Sequence, residues 1–196
     1  MFTISPCVAG CGAAAITGSR LCFKHQANQK QECRRIIELI LNTERIRNLC
    51  SQGLVFNDVD FSGHRFYGCD FRYAAFISCN LTGVKLMMSF FDFSNFKNCD
   101  LSVSDIQFSS FAGANFLDCK FEDSELVHLN FEGASIDKTS FSNSNLYNSR
   151  FINAQLNLSE YNNCNLKRTY FIDAVIKDCG FKSSNTAEAI YEREKE

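Results

Sequence analysis

The chain has 196 residues, enough for one domain of ordinary size, with 45% hydrophobic and 21% charged residues and a formal net charge of −2. A single Pro and 10 Gly exclude a collagen-like or low-complexity polymer, and no uninterrupted apolar run approaches the roughly 18 residues that a membrane-spanning helix needs. Twenty basic against 22 acidic side chains make no global case for nucleic acid or a membrane surface, so such a partner would have to be met by local charge.

Residues 1–27 form the first predicted unit. They carry Cys7-x3-Cys11-x10-Cys22-x2-His25, with small residues between the two pairs. Three thiolates and one imidazole make a closed tetrahedral set, the arrangement of structural zinc rather than of catalytic zinc, which keeps an open position. The Cys-x3-Cys-Gly run with a later Leu-Cys-x-x-His also resembles short zinc knuckles at the front of some bacterial proteins. Coincidence in a chain with 11 Cys is the competing reading, and Cys33 is an alternative ligand. The odd number of Cys, scattered along the chain, fits reduced thiols. With no secretion signal read at the start, the cytoplasm is the expected compartment.

Residues 28–53 are read as one amphipathic helix broken at Asn42-Thr43. Cys33, Ile36, Ile37, Ile40 and Leu41 share one stripe, and Ile46, Leu49 and Cys50 lie on a shifted one. Residues 1–53 contain seven Lys or Arg against three Asp or Glu, whereas residues 54–185 contain eleven against fifteen. Arg34, Arg35, Arg45 and Arg47 on this helix could meet an acidic partner or nucleic acid, but a solvated outer face explains them with less, and nucleic acid is not expected.

From Phe56 to Phe181 a large apolar residue recurs at every fifth position, 26 times without a break: 15 Phe, 7 Leu, 3 Ile and 1 Tyr. Two residues before each of them, 21 of the 26 positions are Ala, Ser, Thr or Cys. A helix repeats near 3.6 and a strand at 2, so a period of five requires a chain that turns a corner once per repeat. A residue and the one two before it share a side of an extended segment, so both columns point inward and the other three positions face solvent.

This pattern, as in Ala114-Asn115-Phe116-Leu117-Asp118 and Cys99-Asp100-Leu101-Ser102-Val103, strongly resembles the pentapeptide-repeat family over about two thirds of the chain. The resemblance implies an all-β solenoid: a right-handed quadrilateral parallel β-helix of about six and a half coils over residues 54–185, in which residues twenty apart stack. One side would then stack Phe71, Phe91, Phe111, Phe131, Phe151 and Phe171. Cys79, Cys99 and Cys119 would line up as small buried hydrophobes, with Cys179 further along. His64 falls in an inward small slot, where a packed ring is expected, and His128 on an outer corner. Open ends of a β-helix need covering. The helix of residues 28–53 is therefore read as an N-terminal cap, and residues 186–196 as a short C-terminal cap helix started by Asn185-Thr186-Ala187-Glu188.

No nucleophile elbow, phosphate-binding glycine loop or carboxylate pair is present, so no enzymatic activity is expected. The outward exceptions to polarity are Tyr67, Met87, Val127 and Tyr147 in one column, with Met88, Phe108, Phe90 and Phe93 around the adjoining corner. Two readings stand: a binding edge for an unidentified protein partner, or a face covered by the N-terminal unit. The family resemblance adds an alternative. Some pentapeptide-repeat proteins resemble a DNA duplex in width and negative charge, bind bacterial DNA gyrase or topoisomerase IV and protect against quinolones. Here the coils are only mildly acidic, no long loop interrupts them and the tail is charged. The expectation is a bacterial, non-enzymatic interaction module with a structural zinc head, a monomer or weak dimer.

Overall fold

The computed structural model describes residues 5–192, and within them the chain winds into a four-sided parallel β-solenoid of about seven turns with one helix near its N-terminus. Two opposite sides carry three-residue strands. The first face holds β1 (Arg45–Arg47), β3 (Arg65–Tyr67), β5 (Lys85–Met87), β7 (Asp105–Gln107) and β9 (Glu125–Val127). The opposite face holds β2 (Val55–Asn57), β4 (Ala75–Ile77), β6 (Asn95–Lys97), β8 (Asn115–Leu117), β10 (Ser135–Asp137), β11 (Gln155–Asn157) and β12 (Val175–Lys177). Every pairing is parallel with partners twenty residues apart, as in Phe66 with Leu86 and Phe96 with Phe116.

The inward stations behave as the five-residue period requires. Phe91, Phe111 and Phe131 are 1%, 0% and 0% exposed, and their rings stack at 4.8 and 5.3 Å. The same column runs from Phe71 through Phe151 and Phe171 to Tyr191. The smaller stations have a second task. The Ser89 hydroxyl accepts from Cys69 N at 3.1 Å, Ser124 from Ser104 N at 3.0 Å and Ser149 from Leu129 N at 3.0 Å. Ser and Thr fit because the space is small and a buried backbone N–H needs an acceptor, whereas Ala fits by size alone. Thiols fill the same stations, with Cys79 and Cys99 donating to the carbonyls of Phe56 and Phe76 at 3.4 Å. Burial pushes the Cys69 and Cys164 thiols up to about 11, so these groups are inert fillers.

The helical expectation for residues 28–53 holds only in part. The helix α1 spans Gln29–Leu41, capped by the Asn28 side chain accepting from Gln31 N at 3.0 Å, and it buries Ile36 and Ile40 against the first coil. Arg45–Arg47 is strand, not helix, so Arg45 and Arg47 leave the helix face assigned to them. Ile46 takes an inward station opposite Phe66 because pairing satisfies the first coil's backbone. Ser51 occupies the next large station and Leu49 the small one beside it, 0% and 2% exposed, an exchange of sizes that hides the register in the sequence.

Two further expectations are corrected. His64 is half-exposed, not packed; its Nδ1 meets its neighbour Ser62 O at 3.2 Å, because on the N-terminal side its column holds only the exposed Glu44. No helix forms at the C-terminus within the described residues, where a single 3-10 turn spans Thr186–Glu188. The Asn185 side chain accepts from Leu166 N at 2.6 Å, continuing the coil ladder instead of capping a helix. The last coil is therefore continued by Ile190 and Tyr191 on the Phe171 side and stays open on the side of Val175 and Ile176, which are exposed. Residues 193–196 of that predicted cap lie outside the described residues.

Candidate metal centre and outer contact edge

Residues 5–27 build a knuckle on the N-terminal end of the solenoid. Cys7 N donates to Ala13 O at 2.9 Å and Gly10 N to Cys7 O at 3.0 Å, a tight reversal in which Gly10 and Gly12 both hold positive φ. A 3-10 turn, Phe23–His25, brings Cys22 and His25 to the same point. The four donor atoms of Cys7, Cys11, Cys22 and His25 all lie within 4.8 Å of one another. Cys11 Sγ to Cys22 Sγ is 3.6 Å, and His25 Nδ1 stands 3.4 Å from both Cys7 Sγ and Cys22 Sγ. Zinc at about 2.3 Å from sulfur and about 2.0 Å from nitrogen makes tetrahedron edges of roughly 3.5 to 3.8 Å, so the donor set is compatible with zinc. The Cys22 backbone N–H bonds to the Cys7 sulfur and lowers that thiol to about 6, which favours the thiolate a metal takes. Cys33 lies on α1, outside the cluster.

The knuckle seats on the rod end. Thr17 N donates to Cys50 O at 2.9 Å, Cys50 N to Thr17 Oγ1 at 2.7 Å, and Arg35, held by Glu32, donates to Thr17 O. The outward apolar edge remains uncovered. Tyr67, Met88, Phe90, Phe93 and Phe108 are exposed, while Met87, Val127 and Tyr147 are half-buried. The structure joins most of them into one strip: Tyr67 Oη donates to Met88 Sδ at 3.9 Å, Phe108 stacks on His128 at 4.8 Å and His128 meets Tyr147 edge-on at 5.8 Å. Phe90 and Phe93 lie around the next side.

Two features escape a reading of composition alone. Tyr73 is exposed and stacks on Phe93 at 5.5 Å, and Phe93 lies over Gly113, where a Cβ would sit 2.6 Å from its ring. Arg45, Arg65 and Lys85 form one column on the first face. Counting in twenties along the chain reveals both. Inside the rod, a void between Phe61, Phe66 and Phe91 measures ≈ 10 Å³, room for about one water.

Two family models match, one described as pentapeptide repeats (8 copies) over residues 52–86 and one as a pentapeptide repeat region over residues 114–190, together more than half of the chain. With the fold above, they define a parallel β-solenoid protein. The chain belongs to the pentapeptide-repeat family. Among solved structures it is similar to a trypsin-treated variant of QnrB1, a plasmid-mediated fluoroquinolone resistance protein, at 21% identity over 76% of this chain and 72% of that one, TM-score 0.47. It is also similar to HetL, a pentapeptide repeat protein involved in heterocyst differentiation regulation from the cyanobacterium Nostoc, at 12% identity over 80% and 95%, TM-score 0.34. A third is a pentapeptide repeat protein of the Arabidopsis thaliana thylakoid lumen, at 20% identity over 64% and 70%, TM-score 0.33. No curated protein matches the chain. Among the described residues no helix is long and apolar enough to cross a membrane.

Proposed function

We propose that this chain is a non-enzymatic interaction scaffold: a rigid rod, headed by a structural zinc on Cys7, Cys11, Cys22 and His25, that offers its exposed apolar edge to a protein partner. One observation carries the reading. Tyr73, Met88, Phe93 and Phe108 are exposed, and each holds a left-handed backbone with φ between 49° and 61°. That region costs a side-chain-bearing residue about 1–2 kcal/mol. Most other corners of the rod use Asn, Asp or Gly, such as Asn148, Asn153 and Gly133, which enter it more cheaply, and Val103 and Leu158 are isolated apolar exceptions away from this edge. Large apolar groups placed there stay more than a third exposed even where they stack on a neighbour, and they supply adaptable contact area.

A DNA-like role at a topoisomerase calls for a continuous acidic surface, and the first face instead starts with Arg45, Arg65 and Lys85. The free thiols support a reducing compartment, the cytoplasm.

The test is capture from the host with the wild type and with a Phe93→Glu/Phe108→Glu variant, alongside their melting curves. Loss of a captured protein at unchanged melting temperature supports the edge as the contact. Capture unaffected by both substitutions overturns it.

A further inference from the structure

The first face carries a charge order that a generic contact edge does not explain. Its strands stack in register about 4.8 Å apart, so Arg45, Arg65 and Lys85 stand one above another and are followed by Asp105 and Glu125. Like charges on adjacent strands repel. Lys85 reaches Asp105 at 3.8 Å, whereas Arg65 forms no ion pair among the described residues. Three cations followed by two anions in one column complement the same column run in the opposite direction.

We infer that this face docks on a second copy of the chain, about a twofold axis that runs along the strands midway between the Lys85 and Asp105 coils. In such an isologous contact each pairing occurs twice. Lys85 then faces the partner's Asp105, and Arg65 faces the partner's Glu125. In the neighbouring outward column Tyr67 meets the partner's Val127, and Arg47 meets the ring of the partner's Tyr147, a cation–π pairing. At the corner Met88 meets the partner's Phe108.

Charge selects this register. Moving the axis half a coil either way sets Lys85 against the partner's Lys85, or Asp105 against the partner's Asp105. Stacking the two rods in the same direction sets Arg65 against the partner's Arg65. The face is about 30 Å long and about 10 Å wide, below the ~800 Å² per partner of a standard stable interface. The dimer is therefore weak and reversible, with a Kd of micromolar order or above.

The apolar part of this docking rests on the reading of the Met88 and Phe108 corner as a contact edge, while the stacked Tyr73 and Phe93 lie outside the docked face. Sedimentation velocity of the full metal-loaded chain over a range of concentrations tests it, with melting curves for each variant. Lys85→Asp and Asp105→Lys should each weaken self-association at least tenfold, the double variant should restore it, and added salt should weaken the wild type. A wild type that stays monomeric to about 1 mM overturns the inference, as does a dimer indifferent to both reversals. A dimer abolished only by Val175→Lys would place the contact at the open C-terminal coil and overturn it equally. Capture of a host protein is read here with Phe93→Glu alone, which leaves the Met88 and Phe108 corner intact, so either reading can fail alone.

Discussion

Removing one ring from the middle of the rod measures how much the inward stacks hold it together. Phe111 is 0% exposed, lies between Phe91 and Phe131 at 4.8 and 5.3 Å, and touches the next column through Phe116 at 5.8 Å and Phe96 at 6.1 Å. Phe111→Ala leaves a cavity that cannot collapse, because the coils above and below are fixed by bonds such as Phe111 N to Asn130 O and Phe91 N to Ser110 O, both 2.7 Å. The loss of burial and the residual cavity together cost about 3–5 kcal/mol. For a domain of this size that lowers the melting temperature by roughly 6 to 20 °C. Ile176 is the control: it occupies the same kind of station in the last coil, where it is 38% exposed, and Ile176→Ala should cost only about 1–2 kcal/mol. The chain has no Trp, so urea unfolding is followed by far-ultraviolet circular dichroism. A Phe111→Ala loss below about 1 kcal/mol, or a loss equal to that of Ile176→Ala, would refute the reasoning.

Three other outcomes follow from the same structure. Tyr161 is fully buried between Phe141 and Phe181, its hydroxyl has no hydrogen-bond partner among the described residues, and burial holds its pKa well above the usual range. Tyr161→Phe removes that desolvation cost and should stabilise the rod by about 1–3 kcal/mol; a lower melting temperature would contradict it. Metal analysis should find one zinc per chain, lost in Cys22→Ser. A chelator should then raise hydrogen exchange across residues 5–27 while leaving the β signal of the rod in place; loss of that signal would show that the head holds the whole fold. The Cys50, Cys69 and Cys164 thiols, raised from 9.0 to about 11, mainly by burial, should resist thiol reagents at pH 8 and react only on denaturation. The unfolded chain ionises these groups near pH 9 and the folded chain near pH 11, so stability falls as pH rises through that window. Rapid labelling of Cys69 in the native protein would contradict their burial.

Most of the architecture is legible in the sequence because the lumen makes one demand every five residues and answers it with very few residue types. The reading fails where two principles compete over the same residues. Ile46, Leu49 and Cys50 fit a helical stripe as well as a coil, and with Ser51 in a large station the period of five is broken at the point where it begins. Asn185 looks like a helix start, yet its side chain serves Leu166 N instead. His64 counts as an inward residue, but inward means covered only where another coil lies on both sides. The convergence of Cys7, Cys11, Cys22 and His25 was legible from spacing because the two short pairs lie close together in the chain. The outer edge was legible only in part: Phe93, Met88 and Phe108 stand out as exceptions to polarity, whereas Tyr73 and the Arg45, Arg65 and Lys85 column emerge only once residues twenty apart are known to be neighbours.

The central claim is that the outside of the rod, at its strained apolar corners, carries the function. Quantitative mass spectrometry of proteins retained by the wild type and by the Phe93→Glu/Phe108→Glu variant, both with intact melting curves, tests it most directly. The account predicts at least one host protein enriched on the wild type and reduced at least tenfold on the variant. Equal retention of every enriched protein by the two would contradict it.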